Sequence, residues 1–386
     1  MIKLMIDPLV RTGDAMTRSN DLELLHTFTN FPVFMGCTDD EASDDKFFDM
    51  KIWISVSTGL IQLNPLLPLD VLYPYAHGSG SVGASWAQHH TALALFIAEF
   101  EPKSVLEIGG AHGILALNYQ NIADIPWTIL EPNPSPMSGC RAEFIRGFFS
   151  DDFILGREVD AIVHSHVFEH LYDPVSFVKH QAKFLSIGSK LIFSVPNMRA
   201  MLEKKFTNCL NFEHTILLTE DYITYLLHSN GFEIVKTQYF CDDHSIFFAA
   251  IRTKYGSTCN LPDFLYGQNK ALYQNYLKFH FNMVESINYQ IENTIDRPVF
   301  LFGAHVQSQY LIAFGFDLSK VVGILDNDTN KHGKRLYGTD KFVLNPSVLA
   351  SCNEPIVVIR AGTFADEIIE QLKTINNSIV FVANDT

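Results

Sequence analysis

The sequence predicts a doubly wound α/β fold, in which helices cover both faces of a mostly parallel sheet. Three observations lead to this class. Apolar strand-like runs alternate with helix-like runs from residue 85 onward, which is the order that β–α–β units require. A glycine-rich turn follows the first of these strand-like runs, in VLEIGGAHGIL (105–115). The alternation restarts at residue 298, so we expect a second, smaller α/β unit.

The larger unit begins with a predicted helix over 85–100. Its predicted strands are, in order, SVLEIG, WTILEP, DAIVHSH, SKLIFSVPN, FEIVKTQYF and SIFFAAIRT. The predicted helices between them are ILALNYQNI, DPVSFVKHQAKFL and TEDYITYLLHSNG. The last of these has a threonine where an N-cap belongs and a glycine at its C-terminal end. The final two strands follow each other directly and are expected to pair.

The rest of the chain divides around this unit. A long helix over 266–293 is predicted to connect it to the second unit, whose strands are PVFLFGA, KVVGILDND, PIVVIRAG and SIVFVAN. The stretch before it is expected to be irregular, and its acidic segment TDDEASDDKFFD is expected to be a solvated loop. We therefore expect an N-terminal module (1–80), a central domain (81–255), a helical connector (256–297) and a C-terminal α/β domain (298–386).

Composition limits the classes of function. The chain has 386 residues, of which 47% are hydrophobic and 18% charged, and its net charge is −15. This charge argues against a nucleic-acid surface, which would be basic. The six cysteines include no CxxC pair, so neither a disulfide framework nor a thiolate zinc site is expected, and a reducing cytoplasm fits best. The apolar start is too short and interrupted for a secretory leader, and no membrane span is predicted. The oligomeric state is left open.

The glycine turn indicates a nucleotide-type cofactor. A dinucleotide site would have the spacing G-x-G-x-x-G, which the loop Gly109-Gly110-Ala111-His112-Gly113 does not have. An acid on the strand, two residues before the first glycine, is instead typical of S-adenosylmethionine sites. Glu107 occupies this position, and its carboxylate can face the cationic amino-acid end of the cofactor. We predict that Glu107, Gly109, Gly110 and Gly113 bind this cofactor.

Two further segments support this prediction. Glu131 ends the next strand and precedes Pro132, and a carboxylate there can accept hydrogen bonds from both ribose hydroxyls. VFEHLYDP, just after His166, is similar to the segment that follows the fourth strand of class I methyltransferases. Each feature alone has a purely structural interpretation. In this order and spacing they predict a class I, Rossmann-like methyltransferase sheet with S-adenosylmethionine as cofactor, bound also by Pro132 and His166.

The chain also resembles the three-domain sugar-nucleotide C-methyltransferase family over nearly its whole length. STGLIQLNPLLPLDVLY is similar to that family's "CGLVQL…P.e.LY", and VLEIGGAHGIL to its "VLEIG..dG.LL". LNFEHTILLTEDYITYLLHSNGFEI is similar to its "IYHEHLsYFs…l..ll..GFe". LFGAHVQSQYLIAFGF and ILDNDTNKHGKRLYGTDKFVLNP resemble its two C-terminal segments. The resemblance implies methylation of a small molecule, a nucleotide-linked sugar.

The N-terminal module departs from the family. The family binds zinc there through two cysteine pairs, and the positions of the second pair hold Ser55 and Thr58. The first pair falls near Phe34 and Cys37, so one thiol remains and four ligands cannot be assembled. We therefore expect no metal site. The module is predicted to be a zinc-less remnant that covers the acceptor through the side chains of Tyr73, Tyr75 and His77.

The segment that carries the family's catalytic residues also differs from the family pattern. The family's Tyr-His-Glu-His becomes Asn211-Phe212-Glu213-His214. The resemblance implies that His214 is the general base and that Glu213 orients it, since histidine titrates near neutral pH. Asn211 can donate a hydrogen bond to a carbonyl but cannot act as an acid, so carbon and oxygen methylation both stay open. His244 matches the histidine of the family's downstream HGGSLR segment, and it is predicted to bind substrate.

The C-terminal unit and several histidines outside the catalytic segment complete the predicted sites. Gly303 and Lys331 in the C-terminal unit are predicted to help bind substrate, and its GAHVQSQ has too few glycines for an NAD site. The histidine pair 89–90 is expected on a helix surface, and Glu169 and His170 in structural positions or at the cofactor edge. The alternative function is an inactive scaffold of the same fold in a glycan-assembly complex.

Overall fold

The computed structural model describes residues 7–72, 83–292, 294, 297–360 and 365–383. The three predicted substrate-binding residues Tyr73, Tyr75 and His77 lie outside these ranges. The chain folds into two units. The first unit comprises Met1–Glu23, Trp53–Lys204 and Cys209–Lys270, and the second comprises Leu24–Ile52, Lys205–Asn208 and Ala271–Thr386. The N-terminal stretch thus contributes to both units, and the four-part division expected from the sequence remains a prediction.

From residue 84 onward strands and helices alternate, and each predicted strand and helix is present, together with shorter elements that were not predicted. The strands are β1 (Leu22–Pro32), β2 (Cys37–Thr38), β3 (Phe47–Ser55), β4 (Ile61–Leu63), β5 (Val105–Ile108), β6 (Trp127–Glu131), β7 (Glu143–Arg146), β8 (Ala161–Ser165), β9 (Lys190–Pro196), β10 (Phe232–Phe240), β11 (Ser245–Arg252), β12 (Val299–Phe302), β13 (Val321–Leu325), β14 (Arg335–Leu336), β15 (Val343–Leu344), β16 (Ile356–Ile359) and β17 (Val380–Ala383). The α-helices are α1 (Leu69–Leu72), α2 (Ala84–Ala98), α3 (Ile114–Tyr119), α4 (Pro174–Phe184), α5 (Met198–Glu203), α6 (Glu220–Ser229), α7 (Cys241–His244), α8 (Leu265–Glu292), α9 (Val306–Ala313) and α10 (Ala365–Ile375).

The first unit contains a seven-stranded sheet in the order β10-β11-β9-β8-β5-β6-β7. Strands β5 to β9 are parallel, and β11 runs antiparallel to both β9 and β10. The predicted doubly wound class and the predicted terminal strand pair are therefore confirmed. The chain leaves β5 toward β6 on one side and reaches β8 on the other, so the strand order reverses at β5. The carboxyl end of β5 is where ligands bind in open α/β sheets.

The core of this unit lies between the sheet and helices α2 and α3. Leu93 and Ile97 of α2 pack with Val105, Ile129 and Val163 of the central strands, and all five are fully or almost fully buried. The central strands are apolar on both faces, as strands covered by helices on both sides must be. Strand β7, in the short and polar segment EFIR, was not among the predicted strands.

The second unit contains a smaller parallel sheet in the order β15-β13-β12-β16-β17. This confirms the expected second α/β unit. Its core includes Phe300, Leu325, Leu349, Val357 and Leu372, all buried.

The N-terminal stretch is not irregular, so that expectation is wrong. Strands β1, β3 and β4 form a three-stranded sheet in the order β1-β3-β4. Met50, Ile52 and Ile54 of β3 are fully buried, and they alternate with more exposed neighbours, which is the period of a half-buried strand. Within the described residues no helix combines the length and apolarity that crossing a membrane requires.

The acidic segment 38–49 is only partly solvated. Asp39, Asp40, Glu41 and Asp44 are exposed as expected. Asp45 is instead buried and receives two hydrogen bonds from the Arg335 guanidinium, at 2.6 and 2.8 Å. The backbone N–H of Gly338 donates a third, at 2.8 Å. Because a buried carboxylate needs a partner for its charge, this ion pair joins β14 to the N-terminal segment inside the second unit.

Candidate functional site

The loop after β5 is built so that only glycine fits at three positions. Gly109 and Gly113 have φ values of 72° and 77°, in the left-handed region that favours glycine. A Cβ on Gly110 would lie 2.7 Å from Cδ of Glu107, and one on Gly113 would lie 2.7 Å from Sγ of Cys140. The backbone of this loop is therefore packed tightly on its own support, with α3 beginning directly after it.

Glu131 connects this loop to the loop after β6. Strands β5 and β6 are neighbours, and Ile108 lies opposite Leu130. The Glu131 carboxylate accepts hydrogen bonds from the backbone N–H of Ala111 at 3.1 Å and of Asn133 at 3.0 Å. A carboxylate offers about four acceptor positions, so this half-buried group keeps acceptor capacity for a ligand. Pro132, which is also half-buried, follows directly in the chain.

Glu107 lies beneath the loop rather than on its surface. Its side chain is buried, and Oε2 accepts a hydrogen bond from the indole N–H of Trp127 at 2.7 Å. Burial raises the pKa of Glu107 to about 7; the Trp127 hydrogen bond opposes this rise and the charge of Glu131 adds to it. The carboxyl group therefore supports Gly110 from the interior, and its predicted role toward the cofactor's amino-acid end stays a prediction.

His166 follows β8 and has a left-handed backbone, with φ 54°. Its Nε2 lies 2.8 Å from Oγ of Ser245, and its Nδ1 lies 3.2 Å from Oε1 of Glu169. The same serine hydroxyl lies 2.6 Å from Nδ1 of His244. The ring of His89 stacks on that of His244, with centroids 5.3 Å apart. Histidines from three separate parts of the first unit thus meet beside β11.

The expectation that the histidine pair 89–90 lies on a helix surface is wrong. His89 is fully buried and His90 is 8% exposed. Burial, together with the neighbouring histidines, lowers the pKa of His89 to about 2 and that of His90 to about 4. Both rings are therefore neutral at physiological pH. The helix α2 turns this pair toward the sheet because it packs its apolar side chains against the same surface.

A second histidine cluster surrounds Glu169, which lies in a short 3-10 helix after β8. Glu169 is fully buried, and ligand-type atoms of Glu169, His170 and His214 lie within 4.8 Å of one another. Burial raises the pKa of Glu169. The interaction with His166 and the electrostatic attraction of His166, His170 and His214 outweigh burial and lower the pKa to about 2. Burial and the field of His214 lower the pKa of His170 to about 4. An ionised carboxylate thus lies beside the imidazoles of His170 and His214, which pack edge to face with their centroids 4.8 Å apart.

The segment that carries His214 is held by Asn211. Oδ1 of Asn211 accepts hydrogen bonds from the backbone N–H of Glu213 at 2.8 Å and of His214 at 3.0 Å. The backbone N–H of Thr215 donates to the carbonyl of Glu169 at 3.1 Å. The side-chain oxygen of Asn211 therefore shapes the turn, and the turn places His214 next to Glu169. The interpretation of Glu169 and His170 as structural or peripheral did not anticipate this juxtaposition.

The N-terminal stretch borders this segment through backbone hydrogen bonds and through Arg11, which belongs to none of the sequence motifs described above. Backbone hydrogen bonds join Leu63 to Thr215 and Leu217 to Ile61, both at 2.8 Å. The buried guanidinium of Arg11 donates to the carbonyls of Leu63 and Thr215 at 2.9 and 3.2 Å. No local pattern in the sequence marks Arg11, because its partners lie far away in the chain.

The predicted positions of the lost zinc pair hold a hydrogen-bond network instead. Thr58 donates its hydroxyl to Oδ2 of Asp14 at 2.5 Å, and Ser55 donates to Oδ1 of Asp21 at 2.9 Å. Hydroxyls that already donate to carboxylates do not make a thiolate-type zinc site. These residues therefore do not fit the family's zinc.

The predicted substrate residues of the C-terminal unit meet at one carboxylate. Asp326 follows β13, and its Oδ2 accepts hydrogen bonds from Nζ of Lys331 at 3.0 Å and from the backbone N–H of Ala304 at 2.8 Å. Gly303, just before Ala304, has φ 103°. Gly303 and Lys331 thus belong to one arrangement at the carboxyl ends of β12 and β13, within the second unit.

Comparisons with known proteins bear on the first unit. Residues 85–237 match the family model of the methyltransferase domain. The comparison with curated proteins gives no match. Among solved structures, a magnesium protoporphyrin IX methyltransferase from Synechocystis PCC 6803 is 17% identical, with 46% of this chain and 90% of that chain covered and a TM-score of 0.36. An S-adenosylmethionine dependent methyltransferase from Mesorhizobium loti is 13% identical (45% and 100% covered, TM-score 0.35), and the N-methyltransferase NodS from Bradyrhizobium japonicum is 15% identical (44% and 97%, 0.32).

The family match runs from α2 into β10 and includes the glycine loop, His89, His166 and the cluster around Glu169; β11 and His244 follow it in the chain. Residues 85–237 therefore form a methyltransferase domain, and S-adenosylmethionine is its cofactor. The predictions of this enzyme class and this cofactor are confirmed.

Proposed function

We propose that the methyltransferase domain transfers the methyl group of S-adenosylmethionine to a nucleotide-linked sugar or a related activated small molecule, with His214 as the general base. The observation that carries the catalytic part of this proposal is the placement of His214. A turn shaped by Asn211 holds it beside the ionised, buried carboxylate of Glu169. A carboxylate in this position favours the imidazolium that forms when histidine takes a proton.

The residues of the glycine loop fit the cofactor. Glu131 keeps acceptor positions for a diol after its two backbone hydrogen bonds. Gly109, Gly110 and Gly113 leave the loop without side chains, so a ligand can approach its backbone closely. We propose that Glu131 and Pro132 contact the ribose, and that Glu107 maintains the loop from below. When bound, the cofactor supplies an electrophilic methyl group on a sulfonium sulfur.

Residues of this chain remove the proton from the acceptor. His214 accepts the proton from the acceptor atom, whose electron pair forms the new bond to the methyl carbon. The pair of the broken C–S bond stays on sulfur, so charge is balanced when the imidazolium later loses its proton to solvent. Glu169 stabilises the imidazolium, and Asn211 fixes the backbone of His214. The orienting role of Glu213 is part of the same proposal.

Two features support the class of acceptor. The five segments that resemble sugar-nucleotide C-methyltransferases occur in that family's order along the chain. The C-terminal unit, in addition, presents Gly303 and Lys331 around Asp326 at the carboxyl ends of parallel strands, which is a ligand-binding position in α/β sheets. We propose that this arrangement contributes to substrate binding within the second unit. We propose the same role for His244 within the first unit.

The test is a turnover assay with His214 variants. A panel of nucleotide-sugars, 4-keto and fully hydroxylated, is first screened with methyl-labelled S-adenosylmethionine and the wild-type protein. On an accepted substrate, His214→Asn is expected to lower the methyl-transfer rate by roughly 100- to 10,000-fold, the range of general-base catalysis. The affinity for S-adenosylhomocysteine, measured by calorimetry, is expected to stay unchanged.

The matched control is His228→Asn, since His228 lies on α6 outside both histidine clusters. A wild-type rate in the His214→Asn variant would remove His214 from the role of base. Transfer to 4-keto acceptors alone indicates carbon methylation through an enolate, and transfer to hydroxylated acceptors alone indicates oxygen methylation. Absence of transfer to every nucleotide-sugar would contradict the proposed acceptor class.

A further inference from the structure

His89, His166 and His244 form a cluster that has the composition of a metal site, here named the three-histidine cluster. One ring nitrogen from each residue lies within 4.8 Å of those of the other two. The three come from α2, from the loop after β8 and from the residue before β11. They converge only in the folded first unit. The two flanking rings are half-buried, and His89 is fully buried.

The environment of His89 supports a role as a metal ligand. Neither of its ring nitrogens has a hydrogen-bond partner among the described residues. Its ring is instead packed against the aromatic rings of Trp86, Phe240 and Phe247, with centroids 5.2 to 5.4 Å away. A buried polar group without a partner costs about 1–3 kcal/mol, and such groups in native proteins require an explanation. A bound cation that accepts a nitrogen lone pair supplies one.

The ring of His166 lies at ion-pair distance from a carboxylate on the side of its second nitrogen. Its Nδ1 lies 3.2 Å from the buried carboxylate of Glu169. Histidines that bind metals commonly donate the N–H of their other nitrogen to a carboxylate, which sets the tautomer and the orientation of the ring. The left-handed backbone of His166, uncommon for a residue with a side chain, holds the ring in this position. The charge of Glu169 also offsets that of a cation.

Ser245 lies between two of the rings. Its Oγ is 2.8 Å from Nε2 of His166 and 2.6 Å from Nδ1 of His244. A metal ion that binds Nε2 of His166 or Nδ1 of His244 takes the place of the Ser245 hydroxyl as the partner of that nitrogen. The hydroxyl then lies next to the ion. These two histidines therefore exchange one polar partner for another, whereas His89 gains its first.

We propose that the three-histidine cluster binds one divalent transition-metal ion of the zinc class. Three imidazoles suit Zn²⁺ and Co²⁺, whereas Mg²⁺ and Ca²⁺ prefer oxygen ligands. Three protein ligands leave a fourth position of a tetrahedral ion for water or for an oxygen of a small molecule, as in catalytic zinc sites. This inference does not rest on the proposed acceptor or base. It departs from the expectation of no metal, which considered thiolate positions only, and it makes His166 and His244 metal ligands in addition to their predicted cofactor- and substrate-binding roles.

The test is a Co²⁺ titration of the untagged, chelator-treated full chain. We expect one Co²⁺ per chain, with the intense visible absorption of a tetrahedral site, and displacement of the ion by an equimolar amount of Zn²⁺. His89→Ala and His244→Ala are each expected to weaken binding by more than about 100-fold, beyond the roughly 10- to 100-fold typical of residues behind the ligands. Glu169→Gln is expected to fall within that smaller range.

His90→Ala is the matched control, because His90 is the neighbouring, buried histidine outside the cluster, and it should bind Co²⁺ like the wild type. Thermal unfolding of each variant shows whether it folds. His244 is half-buried, so its variant tests the site if His89→Ala does not fold. The inference is overturned if the wild-type chain gives no stoichiometric tetrahedral spectrum, or if that spectrum survives in folded His244→Ala. Equal loss of binding in His90→Ala also overturns it.

Discussion

At the scale of single residues, Glu107 makes the clearest link between burial and pH. Its carboxyl group is buried against Trp127, and its pKa is raised to about 7, whereas a glutamate in an unfolded chain titrates at about 4.3. The folded state therefore holds a proton that the unfolded state has lost between these two values. The contribution of this group to stability is complete below about pH 4.3 and is lost as the pH rises through about 7.

We predict that Glu107→Gln removes this pH dependence. The amide keeps an acceptor for the Trp127 indole but does not titrate. Relative to the wild type, the free energy of unfolding of the variant should rise with pH, by up to about 3 kcal/mol between pH 4.5 and 7.5. Denaturant unfolding at several pH values measures the difference. Using a difference is necessary because buried histidines such as His89, with lowered pKa values, make the stability of both proteins rise with pH. If the free energies of unfolding of the two proteins change with pH in parallel, Glu107 has the same pKa in the folded and the unfolded state, and the prediction is wrong.

At the scale of elements, the strand–loop–helix from β5 to α3 positions the cofactor site through close packing. A Cβ on Gly110 would meet Glu107 and Ile129 at 2.7 and 2.8 Å. We predict that Gly110→Ala shifts the loop and weakens S-adenosylhomocysteine binding by roughly tenfold or more, since overpacking typically costs about 1–3 kcal/mol.

Calorimetric titration measures this affinity, and Gly156→Ala serves as the matched control. A Cβ on Gly156 would meet nothing within 4 Å, so its affinity should equal that of the wild type. If Gly110→Ala binds as tightly as the control, the loop does not approach the cofactor.

At the scale of the whole molecule, an ion pair distant in sequence stabilises the second unit. Arg335 and Asp45 are both buried, and their side chains make two hydrogen bonds. Removing one partner of a buried pair leaves an uncompensated charge. Arg335→Ala is therefore predicted to lower the free energy of unfolding of this unit by about 3–5 kcal/mol.

Thermal and denaturant unfolding of the full chain report this loss. Arg297→Ala is the control, because the carboxylate of its partner Glu354 is exposed and lies 3.8 Å from the guanidinium, which also donates one hydrogen bond to the backbone carbonyl of Glu354 at 2.7 Å. Such a pair contributes at most about 1 kcal/mol. An effect of Arg335→Ala as small as that of the control would show that the Asp45 carboxylate finds another partner or is protonated.

Local patterns in the sequence were enough to predict the α/β class, the glycine loop and most strands from β5 onward, although not the short strands β7, β14 and β15. The reason is physical: hydrophobic periodicity and the left-handed backbone of glycine act over a few residues. The alternation of Met50, Ile52 and Ile54 was the same kind of signal for β3, but charged and proline-rich neighbours obscured it. The acid at the end of β6 was also visible, because a parallel strand that ends at the sheet's carboxyl edge places its last residue near the loop of its neighbour.

Only the tertiary structure decided which polar residues are buried and with which partners. His89 looked like a surface residue because its exposure depends on Phe247 and His244, which follow it much later in the chain. Asp45 looked solvated because its partner Arg335 is 290 residues away. Burying a charge or an imidazole is unfavourable until a distant group compensates it, and no short stretch of sequence contains both groups. The two histidine clusters therefore exist only in the folded chain.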